Sequence, residues 1–457
     1  MDLFTVSSVI IVLSAIFGYV NVRFLKLPNT IGLMIIAIVF TLFIFASTLF
    51  TDRFLSLAEG LIALIDFEHV LLDVMLGFLL FAGAMHTNFD QLKVQRWPVM
   101  VFATLGILVS TFLCATLVYF VFRFLGLETK YIHCLLFGAL ISPTDPIAVL
   151  GILKKAKVPK KLETKIVGES LFNDGVGVVV FLTIMSIAMS GAGQGSQHES
   201  DPSHEHQQTS AHNEHADSTA EHEEAHSHHG EATVSGVVKL FGQEVLGGVL
   251  FGLVLGYVAF LLLKSIDDYE IEVLITLACV MGGYCFAHYL GLSAPLAIVV
   301  AGLFVGNDTM RGTSMSATTE RYVDHFWELM DMVMNAILFV LIGLEILVLT
   351  FQRDYVVAAA FATVIVLASR FCSLLLPVRF FAKKLQFAPH TTTIMTWGGL
   401  RGGISIALAL SLPKEMNRDL FLTVTYGVVV FSIIVQGLSV GMLAKRLIGP
   451  HAEAIDT

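Results

Sequence analysis

Charges, prolines and glycines cut this chain into a long series of apolar stretches, most about 18 to 28 residues long, and a helix needs about 20 to cross a hydrocarbon core. Barrel strands would instead alternate over runs of about ten residues. The pattern therefore predicts an all-α polytopic membrane protein with about thirteen spans. They lie near residues 3–22, 31–50, 69–86, 97–124, 131–153, 165–190, 235–263, 271–289, 293–306, 329–351, 355–381, 390–411 and 419–444. The ninth is short, and residues 54–67 add a half-buried piece. Composition agrees: 56% of the 457 residues are hydrophobic and 14% charged, against about 45–50% and about 25% in ordinary soluble domains. An ordinary soluble enzyme is excluded. A net charge of −10, much of it in one loop, gives nucleic-acid binding no support.

The 5 cysteines lie inside apolar segments without the spacing of a disulfide framework or a zinc site, and are expected as small core residues. No basic region precedes the first apolar stretch, so a cleaved signal peptide is not expected. With the N-terminus outside, the inner loops hold most of the 27 Lys and Arg, among them Arg23, Lys93, Lys154, Lys155, Lys160, Arg321, Lys383 and Lys445. That bias places the N-terminus outside and the C-terminus in the cytoplasm, with residues 447–457 as a short cytoplasmic tail. Residues 191–234 combine acidic and polar residues with many histidines and few apolar side chains. They predict a disordered extracytoplasmic loop, either a solvated tether or a weak zinc binder through His204, His206, His226, His228 and His229.

An ionisable group at the centre of a span costs about 2.5–3.5 kcal/mol even on the lenient insertion scale, so each needs a partner or a function. Asp145, Glu169, Asp174, Arg370 and Arg401 are the ones that stand out; His86, His288 and Glu345 read more simply as groups that cap or tie helices. On a helix turning about 100° per residue, Ser170 and Asp174 share a face, while Glu169 lies about 140° round from Asp174. The two acids address different partners. Asp174, with Asn173 and Ser170 beside it, offers hard oxygen ligands suited to a hard cation, and Arg370 is free to neutralise Glu169.

Two segments are expected to break in mid-membrane. In Ser142-Pro143-Thr144-Asp145-Pro146 each proline removes a backbone donor and disfavours helix in the residue before it. In Trp397-Gly398-Gly399-Leu400-Arg401-Gly402-Gly403 the glycines weaken the helix. The first enters from outside and the second from inside, which is the arrangement of an inverted-repeat transporter with a site at the crossing. Arg401 would set a fixed positive charge there, against half-helix carbonyl dipoles or against Asp145.

Taken in order, Thr144-Asp145-Pro146, Glu169-Ser170 with Asn173-Asp174, Arg370, and Gly398-Gly399 through Gly402-Gly403 around Arg401 resemble the sodium/proton exchanger family of the NhaP/NHE type, over about residues 3–446. The resemblance implies a cell-membrane antiporter for Na+ and H+ with no cofactor. It implies a six-helix ion-translocating core, here residues 97–190 and 355–444, beside a dimerisation domain that makes a homodimer. Alternating access would then be elevator-like. It further implies that Asp174 binds cation or proton, that Ser170 and the Thr144 backbone help coordinate, that Asp145 supports the site, and that Glu169 and Arg370 form a structural ion pair.

One departure concerns the third span, where many relatives carry an acid after Leu-Phe; Leu80-Phe81 is followed here by Ala82. A ligand is missing, which bears on affinity and on Na+ against K+. A K+/H+ antiporter is the nearest alternative, while a channel would want repeated carbonyl or charge rings, and a metal sensor would leave the broken helices unexplained. No Walker-A loop is evident, so ion gradients must drive exchange. Asn173, where voltage-driven relatives carry a second Asp, leaves Asp174 as the evident proton carrier and predicts electroneutral 1:1 exchange.

Overall fold

A computed structural model describes residues 3–62, 64–87, 89–145, 149, 151–153, 156, 158–193, 234–349, 352–385 and 387–448. Its principal helices are α1 (Leu3–Val20), α2 (Asn29–Ser47), α3 (Arg53–Ile62), α4 (Leu76–Met85), α5 (Ile107–Phe124), α6 (Tyr131–Ile141), α7 (Lys160–Gly193) and α8 (Val234–Lys264). There follow α9 (Tyr269–Tyr289), α10 (Ala294–Val305), α11 (Ala317–Glu345), α12 (Arg353–Leu385), α13 (Thr391–Trp397), α14 (Gly403–Leu410), α15 (Arg418–Phe431) and α16 (Gly437–Ile448). Among the described residues 9 helices are long and apolar enough to span a bilayer, and shorter apolar helices occupy Val70–Met85, Tyr131–Ile141 and Ala294–Val305. The protein is an all-helical polytopic membrane protein. Large apolar side chains such as Phe4, Phe124, Val364 and Phe380 stand exposed on helix surfaces, as lipid-facing positions do.

Local chemistry sets several helix starts. The Ser293 hydroxyl accepts from Leu296 N at 3.4 Å with Pro295 in the first turn of α10, where a missing N–H costs nothing. Asp268 caps α9 by accepting from Glu270 N and Ile271 N, and Ser316 caps α11 by accepting from Thr319 N at 3.3 Å.

The helices pack as two groups. In one, α5 and α6 lie together, α12 crosses α5 and α15, α6 lies against α7, and α14 lies between α6 and α15. In the other, α10 packs between α8, α9 and α4, while α11 packs on α1, α2, α4 and α9. They meet where α7 touches α8 and α10 and where α11 touches α14.

Some boundaries differ from those read in the sequence. The tenth segment was expected from residue 329, but α11 begins at Ala317. Its first turns carry Glu320, Arg321, Asp324 and Glu328, invisible to a search for apolar runs; Arg311 secures them by an ion pair to Asp324 at 2.5 Å. Likewise α7 extends past both ends of 165–190, so Gly191–Gly193 continue the helix instead of opening the loop. The half-buried piece at 54–67 is the short helix α3, Arg53–Ile62. His204, His206, His226, His228 and His229 lie outside the described residues.

Candidate functional site

Both expected helix breaks are present, and they cross. α6 ends at Ile141 and α13 at Trp397, each followed by a non-helical stretch. The two stretches meet as an antiparallel bridge between Asp145 and Leu400, with Asp145 N donating to Leu400 O at 2.7 Å. Close approach explains one of the glycines: a Cβ at Gly402 would lie 2.8 Å from Asp145 Oδ2. Only a residue without a side chain lets the second break pass over the first.

The break exposes carbonyls at the C-terminal end of α6, which would be costly in hydrocarbon without a donor. Arg401 supplies it. Its Nη1 donates to Ser142 O and, at 2.8 Å, to Pro143 O, while its backbone N donates to Ser432 Oγ at 2.9 Å. Of the two targets the sequence left open for Arg401, half-helix carbonyls or Asp145, the hydrogen bonds go to the carbonyls.

α7 presents its polar residues to the same crossing. Asn173 clasps the broken stretch: Thr144 N donates to Asn173 Oδ1 at 3.1 Å, and Asn173 Nδ2 donates to Thr144 Oγ1 at 2.8 Å and to Glu169 Oε1 at 3.5 Å. Ser170 Oγ and Thr144 Oγ1 are 2.8 Å apart. Glu169 is paired with Arg370 of α12, whose Nη1 reaches Oε1 and whose Nη2 donates to Oε2 at 2.7 Å. This bidentate pair is 1% and 2% exposed, so neither charge has water to fall back on.

Asp174 is different. It is buried, and among the described residues its carboxyl makes no hydrogen bond. It lines a cavity of about 50 Å³ together with Pro143, Asp145, Asn335, Gly402 and Ser405, enough for a few waters at about 10–15 Å³ each. The third-span helix α4 contributes Leu76, Leu79, Leu80 and Gly83 to the wall; Ala82 packs away from it in the cluster of Phe81 and Trp327. A buried carboxylate without a partner is tolerable only when a proton or a cation neutralises it.

Sequence reading missed two residues at this site. Asn335 of α11 lines the cavity from the side opposite α7, and its Nδ2 donates to Asp331 O at 2.8 Å and Asp331 Oδ1 at 3.1 Å. Its Oδ1 is buried and has no hydrogen-bond partner among the described residues, a condition that costs roughly 1–3 kcal/mol if it stays unrelieved. The signal was available: two polar residues one helical turn apart, just inside the apolar window.

Two broken helices that cross at a buried carboxylate, with their freed backbone groups answered by protein, form the frame of an inverted-repeat secondary transporter. Comparison gives the family. The description "Sodium/hydrogen exchanger, transmembrane" matches residues 11–446, and the chain belongs to that family. It is 45% identical over 442 residues to the Na+/H+ antiporter NhaP of Pseudomonas aeruginosa, covering 96% of this chain and 95% of that one. It is 31% identical over 433 residues to the Na+/H+ antiporter NhaH of Halobacillus dabanensis, covering 93% of each. The sodium proton antiporter MjNhaP1 of Methanocaldococcus jannaschii shares the fold, with a TM-score of 0.69 at 17% identity over 98% of this chain and 100% of that chain.

Proposed function

We propose that this protein exchanges Na+, and Li+ in its place, for H+ by competition of cation and proton at Asp174. The observation that carries the reading is the carboxyl of Asp174, buried and, among the described residues, without a hydrogen-bond partner, in a cavity at the crossing of the two broken helices. The family, and the Na+/H+ antiport for which NhaP and NhaH are named, support Na+ as the cation. Asp174 releases a proton to take the cation and releases the cation to be reprotonated, so both loaded states leave the site neutral. Ser170 and Thr144 supply oxygens beside it, Asp145 supports the site from the cavity wall, and Asn173 holds the break on α7. Glu169 with Arg370 and Arg401 with the α6 carbonyls keep the core rigid while it moves.

By this reading, residues 97–190 and 355–444 form the moving core and the remaining helices a dimerisation scaffold. The N-terminus lies outside and the C-terminus in the cytoplasm of an inner-membrane homodimer. With Asn at 173, one proton exchanges for one Na+ and no net charge crosses. The test is Na+/H+ flux in proteoliposomes with voltage clamped by K+ and valinomycin, after K+ transport by the protein has been excluded. A membrane voltage is worth about 2.3 kcal/mol per charge per 100 mV, so even one uncompensated charge would shift the zero-flux point visibly. Electroneutral exchange leaves that point where the Na+ and pH gradients put it.

A further inference from the structure

The cavity at Asp174 has a wall that the exchange reading does not use. α11 belongs to the helix group opposite α7, packing on α1, α2 and α4. From it Asn335 reaches the cavity, 4% exposed. Its amide orientation is fixed by chemistry: Nδ2 must face the two Asp331 oxygens at 2.8 and 3.1 Å, since a carbonyl there would meet only acceptors. Its Oδ1 is therefore turned from Asp331, buried and without a partner among the described residues. A neutral amide oxygen is a good ligand for a hard monovalent cation.

Building on the exchange reading, we propose that Asn335 supplies a cation ligand from the scaffold side of the cavity, with Asp331 as the residue that orients it. Asp174, Ser170 and Thr144 move with the core, whereas Asn335 stays with α11. The extra oxygen thus belongs to the site in one orientation of the core and is lost in the other. Cation affinity then differs between the two membrane faces. Such a ligand also answers the apolar lining contributed by α4, where Leu79, Leu80 and Gly83 provide no oxygen-bearing side chain.

The experiment compares apparent KM for Na+ on each face, in inside-out and right-side-out vesicles, for the intact protein, Asn335→Ala, Asn335→Gln and Asp331→Asn, with Asp174→Asn alongside. Asn335→Ala is expected to raise KM by about tenfold on one face, the loss of one charge-assisted contact, with a smaller rise on the other face. Asn335→Gln, which keeps a neutral amide with both its oxygen and its donor, should lie between Asn335→Ala and the intact protein. Asp331→Asn should raise KM on the same face through disorientation of Asn335. If Asn335→Ala does not fold, Asp331→Asn carries the comparison. An equal change on both faces, or no change beyond twofold in any variant that folds, overturns the proposal. Exchange surviving in Asp174→Asn would instead strike the competition reading itself, so the two failures are distinguishable.

Discussion

Proteoliposomes carrying Asp174→Asn should show no Na+-dependent proton flux although the protein inserts and folds. The amide has the shape of the carboxyl and, being neutral, removes the cost of holding a charge in the cavity. Stability should therefore be equal or higher, while the proton cycle is gone. The crossing at Asp145 and Leu400 and the clasp from Asn173 to Thr144 do not involve the Asp174 carboxyl, so the architecture has no reason to change. Loss of flux together with loss of folding would point to a structural carboxylate instead.

Arg370→Ala should act on stability first. It leaves Glu169 charged, 1% exposed and deprived of both Arg370 contacts, and breaking one side of a buried pair typically costs about 3–5 kcal/mol. Asn173 Nδ2 at 3.5 Å is too distant a donor to replace a guanidinium. Glu169→Gln in the same chain removes the stranded charge. Detergent melting should show Arg370→Ala well below the intact protein and the double variant partly recovered. A double variant no more stable than Arg370→Ala would mean that the loss arises elsewhere, for example from the packing of α12 at Ser369 and Ser373.

How much of this was legible beforehand depended on whether the cause was local. Pro143 acts on its immediate neighbours and Gly398, Gly399, Gly402 and Gly403 weaken their own helix, so both breaks could be placed without knowing what lay across from them. Glu169 and Arg370 announced themselves as charges too costly for a span, and the scarcity of other candidates suggested the pairing across 201 residues of chain. Arg401 was recognisable as a central charge, but its partners are backbone carbonyls of Ser142 and Pro143, which carry no sequence signature. The first turns of α11 were missed because they carry charges, of which Glu320 and Asp324 are paired with Arg311 outside the apolar window. Asp331 and Asn335 lay inside the expected span 329–351, close to its start, and were not weighed as membrane groups. Asn173 looked like a ligand from composition alone; in the structure its amide is engaged with Thr144 and Glu169.

The central claim is that one carboxyl carries either the proton or the cation and never both. It is tested most directly by calorimetric titration of the purified protein with NaCl, repeated in buffers of different ionisation enthalpy and at several pH values. Competition at Asp174 predicts about one proton released per Na+ bound, with apparent Kd rising about tenfold for each pH unit lowered where the site is protonated, as linkage requires. Asp174→Asn should release none. Na+ binding with no proton release, or with a Kd independent of pH across the range where exchange runs, would contradict it.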